Sequence, residues 1–230
     1  ADACRALAGS LEVLDVRRNG YCPSDGPALG EGMAALQRLR ALHLSGNERL
    51  REGVADVVEA GGGAWMAGLH TLDLHYCGVH CSTLARVAAV AAAGRMRELR
   101  VLVLSSNETG FQRRQEAAAG QPHGLMMLLQ RLREGALPKL ERLDLHRNMM
   151  DAPAGRALAA ALDALPCLHA LFASDNFLED AGVGAIANAV AEGHGPALRH
   201  LDFSEKYSTM GGEATEALER AGAVLRARGG

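Results

Sequence analysis

Aromatic side chains and lysine are scarce in this chain of 230 residues. Phe, Trp and Tyr make up 3% of the chain, and Lys139 and Lys206 are its only lysines. With so few rings, a packed interior has to be built from aliphatic side chains. The formal net charge is −3, so the chain lacks the basic surplus that is typical of proteins that bind nucleic acid through its phosphates. We therefore expect no nucleic-acid partner.

Long apolar runs and paired cysteines are also missing. No run approaches the roughly 20 residues that a membrane helix needs, so we expect no membrane partner. The five cysteines are odd in number and scattered, which favours a reducing compartment over a disulfide framework. These absences predict an intracellular, cytoplasmic protein. The sequence opens at Ala1 without a Met, and we expect it to be a fragment of a longer chain.

One phrase, Leu-x-x-Leu-x-apolar-x-x-Asn or Cys, dominates the sequence. Its starting leucines are 28, 30, 30, 41, 28 and 30 residues apart, and Lys206 closes the last copy. Alternation within the phrase predicts a short strand, and the spacing of apolar residues in 183–190 predicts a helix. Each unit is therefore predicted to run strand, turn, helix and return. The phrases span 11–19, 39–47, 69–77, 99–107, 140–148, 168–176 and 198–206.

These phrases resemble those of leucine-rich repeat proteins of the ribonuclease-inhibitor-like class. The segment "NFLEDAGVGAIANAV", from Asn176, is the clearest copy, and the resemblance covers essentially the whole chain. It implies an α/β solenoid, or horseshoe, with a parallel β-sheet on the concave side and α-helices on the convex side. We expect one domain of about seven repeats across 1–230. The resemblance is specific for the fold and unspecific for function.

The stretch "HTLDLHYCGVHC", residues 70–81, has the side chains that zinc prefers. Alignment of the repeats places Cys77 at the inward Asn position, Asp73 and His75 on the concave face, and Cys81 at a helix entry. Because these directions diverge, we expect neither a metal nor any other cofactor. The same alignment places Asn107 of the Asn-Glu-Thr sequon in the core, so we expect no glycan there.

The exposed strand positions of the concave face are the predicted binding surface. Stacking the strands aligns these positions in rows, one that begins at Asp15 and ends at Asp202 and a second that begins at Arg17. Tyr76 and Phe172 are possible aromatic anchors, and Tyr and Arg are enriched at interface hot spots. The alternative is a solvated face that binds nothing. Although His and Asp alternate, an open sheet offers no pocket to shift their pKa values, so we expect no catalysis. The candidates are Asp15, Arg17, His43, Asp73, His75, Tyr76, Asp144, His146, Arg147, Phe172 and Asp202.

The fourth unit carries about a dozen extra residues, which we assign to an insertion loop at 109–123. Insertions in repeat proteins lie on one face and often bind partners. Phe111, Arg113 and Arg114 are its candidate contacts. The alternative is a neutral loop, because insertions cost little stability.

The favoured hypothesis is a non-catalytic protein-interaction scaffold, without a small-molecule substrate. We expect a structural subunit or domain of a larger intracellular complex, and the repeat-class resemblance suggests the cytoskeleton or a cilium. One alternative is a GTPase regulator resembling the Ran GTPase-activating protein, which would need an acidic tail and more repeats. Another is the sensing domain of an immune-type receptor, which would need a nucleotide-binding domain; the sequence has no P-loop motif.

Overall fold

The computed structural model describes residues 7–107, 109, 123–203 and 211–229. Each leucine phrase contributes one strand of three residues. The strands are β1 (Val13–Asp15), β2 (Ala41–His43), β3 (Thr71–Asp73), β4 (Val101–Val103), β5 (Arg142–Asp144), β6 (Ala170–Phe172) and β7 (His200–Asp202). The described α-helices are α1 (Gly26–Ala34), α2 (Gly53–Glu59), α3 (Cys81–Ala92), α4 (Gly124–Arg133), α5 (Ala152–Ala159), α6 (Glu179–Ala191) and α7 (Gly212–Gly229). Short 3₁₀-helices occupy Pro23–Asp25, Ala60–Gly68 and Leu162–Ala164.

The strands form one parallel sheet in chain order, β1 to β7. Parallel neighbours need a crossover connection, and the Ala-rich segment after each strand supplies one. The central leucine of each strand pairs with the central leucine of the next, as in Leu14 with Leu42 and Leu42 with Leu72. The predicted row that begins at Asp15 is confirmed, because Asp15 pairs with His43 and His43 with Asp73.

The core lies between the sheet and the helices. Leu42, Leu72 and Leu102 have no exposed surface, and each fully buried leucine is worth about 2 kcal/mol. The predicted apolar face of α6 is confirmed, because Val183 and Ile186 are also fully buried. Leucine and small aliphatic side chains thus fill an interior with few rings.

Glycine lets neighbouring helices approach closely. A Cβ added at Gly26 in α1 would lie 2.6 Å from the Cα of Gly53 in α2, and one at Gly155 in α5 would lie 2.7 Å from the Cα of Gly182 in α6. Side chains at these points would push the helices apart. The glycines therefore allow successive helices to lie close together, as stacking on strands spaced about 4.8 Å apart requires.

Four of the asparagines that close the phrases, Asn47, Asn107, Asn148 and Asn176, are buried inside the array and bind the backbone of the preceding unit. Asn47 Oδ1 accepts hydrogen bonds from the N–H groups of Asn19 and Tyr21, at 2.9 and 3.4 Å. Asn176 Oδ1 does the same for Asn148 and Met150, at 2.9 and 3.0 Å. These bonds give backbone amides of the turns a side-chain acceptor. They connect the turns that follow successive strands.

Candidate functional site

Three rows of side chains cover the face of the sheet opposite the helices. The row of Asp15 and the row of Arg17 had been predicted from the sequence. A further row, two positions before the Asp15 row, was missed, although the alternation of each strand puts it on the same face. Its members are Val13, Ala41, Thr71, Val101, Arg142, Ala170 and His200.

Histidines on this face form hydrogen bonds between units. His75 Nδ1 and Ser105 Oγ are 2.9 Å apart, and His146 Nδ1 and Ser174 Oγ are 2.6 Å apart. Ser174 also donates to Asp202 Oδ2 at 3.3 Å. These bonds reduce side-chain freedom before any partner arrives, which lowers the entropic cost of binding.

Two other predicted candidates form an exposed ion pair at the first unit. Arg17 Nη2 lies 2.6 Å from Asp15 Oδ2, and Arg17 Nε donates to Asp15 Oδ1 at 2.9 Å. The hydrogen bonds from the Arg17 side chain and backbone lower the pKa of Asp15 to about 2. The two charges offset each other, so this pair adds no net charge to the face.

Phe172 lies in a cluster of side chains, of which only Phe172 and Asp144 were predicted from the sequence. The guanidinium carbon of Arg142 lies 4.4 Å from the centre of the Phe172 ring, and the His200 ring centre lies 4.9 Å away. Arg142 also donates to Asp144 Oδ2 at 3.3 Å. Arg142 and His200 belong to the row that was missed. The cluster combines an aromatic ring with a fixed cation, the composition that is enriched at interface hot spots.

Tyr76 and Arg147 lie just beyond the strands, in a row defined by backbone conformation. One residue of each of the first six units has a positive φ there. We call this set the left-handed row: Arg18 (55°), Gly46 (76°), Tyr76 (51°), Ser106 (59°), Arg147 (52°) and Asp175 (53°). The Tyr76 side chain is 44% exposed. For the guanidinium groups of Arg18 and Arg147, the described part of the chain provides no hydrogen-bond or ion-pair partner.

The expectation of a face without any pocket is wrong at one end. A cavity of about 490 Å³ lies against the first three units, lined by Arg17, Arg18, Ser45, His75 and Tyr76 together with Asp15 and Gly46. Gly46 lines the cavity between Arg18 and Tyr76, and the stem of Arg18 lies over it. A cavity lined by arginine, histidine and tyrosine suits an anionic or polar group.

The residues of the His- and Cys-rich stretch point in different directions. Cys77 Sγ donates to the Leu44 carbonyl at 3.2 Å, and burial raises the pKa of this thiol to about 12. Cys81 Sγ accepts from the Gly124 N–H at 3.1 Å, in the helix layer. Within the described ranges, His, Cys, Asp and Glu form no group able to hold a metal ion. These cysteines have structural roles.

The insertion begins with a buried contact. Thr109 has no exposed surface, and its Oγ1 donates to Asn148 Oδ1 at 3.0 Å. Asn107 is only 2% exposed. Both ends of the sequon are therefore inaccessible to a glycan. The candidate contacts Phe111, Arg113 and Arg114 lie outside the described residues.

The fold class follows from this geometry. Successive units repeat a strand, a turn and a helix, stacked in register along a single parallel sheet. The chain folds as a leucine-rich repeat solenoid. Its fold is a ribonuclease-inhibitor-like solenoid, with the strands on the concave side and the helices on the convex side. We call the three rows on the sheet, together with the left-handed row, the concave face.

Comparisons with known proteins find distant similarities. No protein-family model matches the chain. RAN GTPase-activating protein 2 of Arabidopsis thaliana is 34% identical over 92 residues, which is 40% of this leucine-rich repeat chain and 16% of that relative. The solenoid therefore aligns with only a small part of the relative's length.

Two solved structures are similar at low sequence identity. The tropomodulin C-terminal domain of Caenorhabditis elegans matches with a TM-score of 0.44 and 12% identity, over 99% of this chain and 93% of that one. An internalin, InlF of Listeria monocytogenes, matches with a TM-score of 0.39 and 13% identity, over 83% and 48%. Neither similarity informs the function. Among the described helices, none combines the length and the hydropathy that crossing a membrane requires.

Proposed function

We propose that this leucine-rich repeat chain is a non-catalytic scaffold that binds a protein partner on its concave face. The observation that carries the proposal is the Phe172 cluster, where Arg142 lies over the ring at 4.4 Å and His200 lies beside it at 4.9 Å. Tyr76 adds an exposed aromatic side chain to the half-buried Phe172. Aromatic and arginine anchors on a rigid sheet provide binding energy at a low entropic cost.

The cysteines and the sequon support an intracellular setting. The described cysteines Cys22, Cys77, Cys81 and Cys167 form no disulfide with one another, which is typical of a reducing compartment. Because Asn107 is buried, it cannot carry a glycan. We propose the cytoplasm, and a structural subunit of a larger complex. A cytoskeletal or ciliary complex is the setting that the repeat-class resemblance suggests.

The test is the native size of the endogenous protein in a gentle extract, followed by mass spectrometry of the co-migrating proteins. A stoichiometric complex much larger than the 24.2 kDa chain is the expected result. Migration at the mass of the polypeptide alone would contradict the scaffold proposal. A partner recovered in this way then supplies the ligand for variants of the concave face.

A GTPase-activating function is the second candidate, favoured by the similarity to RAN GTPase-activating protein 2. A regulator of this kind would contact a GTPase without holding a cofactor of its own. The test is single-turnover GTP hydrolysis by purified small GTPases with and without the chain. Acceleration that persists in Phe172→Ala and disappears in another variant of the same face would replace the scaffold proposal with this one.

A further inference from the structure

We propose that the left-handed row binds an extended, acidic segment of the partner. One carboxylate of the segment pairs with Arg18, a second pairs with Arg147, and an apolar residue midway between them packs on Tyr76. This inference rests on the proposed scaffold function and specifies the chemistry of the partner. Three features carry it: two guanidinium groups without a partner among the described residues, the spacing of the units, and the small residues between them.

The two arginines are ready to accept anions. Arg17 is held by Asp15, and Arg142 by Asp144 and the Phe172 ring. Arg18 and Arg147, by contrast, have no side-chain partner among the residues that the structure describes. A carboxylate that binds one of them displaces no ion pair among these residues. A guanidinium can bind the carboxylate by donating two parallel hydrogen bonds.

Among the described residues, no neighbouring carboxylate forms an ion pair with Arg18 or Arg147. Asp15 is already neutralised by Arg17. Asp175 is the residue next to Arg147 in the row, and its Oδ2 lies 3.6 Å from His146 Nε2. The row therefore presents a cation at each end of the interval from β1 to β5.

The spacing of the units fits an extended peptide. Arg18 follows β1, Tyr76 follows β3 and Arg147 follows β5, so each step spans two strands, or about 10 Å. An extended chain advances about 3.3 Å per residue and covers that distance in about three residues. A peptide that crosses the units along the row would thus place two acidic residues about six positions apart, with the Tyr76 contact at the centre.

Small residues keep the path of the peptide open. Gly46 separates Arg18 from Tyr76, and Ser106 separates Tyr76 from Arg147. A Cβ at Gly46 would lie 2.8 Å from the Cγ of Arg18, so the arginine stem lies directly over this glycine. The cavity of about 490 Å³ lies at this end of the row. It gives an acidic side chain a recess beside Arg18.

A polypeptide suits this surface better than a nucleic acid does. Nucleic-acid affinity comes from many phosphate contacts at once, whereas this row offers two arginines and the chain has a formal net charge of −3. Two fixed anions with an apolar residue between them are readily supplied by a peptide.

The test is a selection of random 12-residue peptides, displayed on phage, against the purified chain. Enrichment of peptides with two Asp or Glu residues five to seven positions apart, around an apolar residue, is the expected result. The affinity of an enriched peptide should fall roughly tenfold for each of Arg18→Gln and Arg147→Gln, because each removes one charge-assisted pair. The Arg95→Gln/Arg133→Gln double variant is the control, because it removes the same charge from exposed arginines elsewhere.

Several outcomes would overturn the proposal. These are a selection that enriches nothing, enriched peptides without an acidic pair, equal binding by the Arg18→Gln/Arg147→Gln double variant, or tighter binding of a single-stranded oligonucleotide than of any peptide. Thermal melting of each variant checks that the fold is retained. A co-purified partner that needs Phe172 but not the two arginines would overturn this inference and leave the proposed function standing.

Discussion

Asn107 Oδ1 accepts a hydrogen bond of 2.9 Å from the backbone N–H of Cys77, which lies 30 residues earlier in the chain. The same oxygen accepts from the Val79 N–H at 3.0 Å, and the Asn107 amide donates to the carbonyls of Leu74 and Leu104 at 2.7 and 2.8 Å. One side chain thus pairs two backbone donors and two acceptors from two units. The stacking of the repeats depends on such bonds as well as on leucine burial.

Asn107→Ala should therefore lower the free energy of unfolding by at least about 3 kcal/mol, because it leaves several buried backbone groups unpaired. Urea denaturation followed by circular dichroism measures the loss. Asn19→Ala is the matched control, because Asn19 is exposed and its amide donates only to Arg17 in its own turn. Equal losses in the two variants would show that the internal hydrogen bonds do not stabilise the stack.

Gly124→Ala should be strongly destabilising, by about 3 kcal/mol. The added Cβ would overlap the carbonyl oxygen of Cys81 and approach the Ala85 nitrogen to 2.8 Å, where α4 packs against α3. Gly184→Ala, within α6, is the control. It has no atom within 4 Å of the added Cβ, so it should gain about 1 kcal/mol from helix propensity. Thermal melts that rank the two variants the other way round would refute this packing.

Cys77 should make the stability of the chain vary with pH in the alkaline range. Burial raises its pKa from 9.0 to about 12, so the thiol stays protonated in the folded chain while the unfolded chain loses the proton. The contribution of the neutral thiol is complete below pH 9 and is lost as the pH rises towards 12. The stability difference between wild type and Cys77→Ala should therefore narrow from pH 8 to pH 11. A difference that is constant over this range would contradict the assigned environment.

The sequence predicts the fold and the register well because both follow from leucine positions. A one-residue slip would turn Leu42 or Leu72 out of the core, so the strands can pair in only one way. That register then predicts which side chains share the face, and the row from Asp15 to Asp202 is placed correctly.

The local chemistry of the face is less visible in the sequence. Arg142 was missed because neighbouring units have Val101 and Ala170 at its position. Apolar residues there do not indicate a binding surface. The cavity was missed because it depends on how side chains from three units, Arg18, Ser45 and Tyr76 among them, lie around one another. A positive φ at Arg18 and Tyr76 also has no signature in residue type, since glycine and asparagine are the usual markers of that conformation.

The most direct test of the scaffold account is the affinity of the purified partner for Tyr76→Ala/Phe172→Ala, measured by isothermal titration calorimetry. Phe177→Ala serves as the control, because Phe177 is 58% exposed and lies after the turn, away from the strand rows. The account predicts a loss of roughly 30-fold or more for the double variant, little change for Phe177→Ala, and unchanged melting for both. Wild-type affinity in the double variant would contradict binding on the concave face.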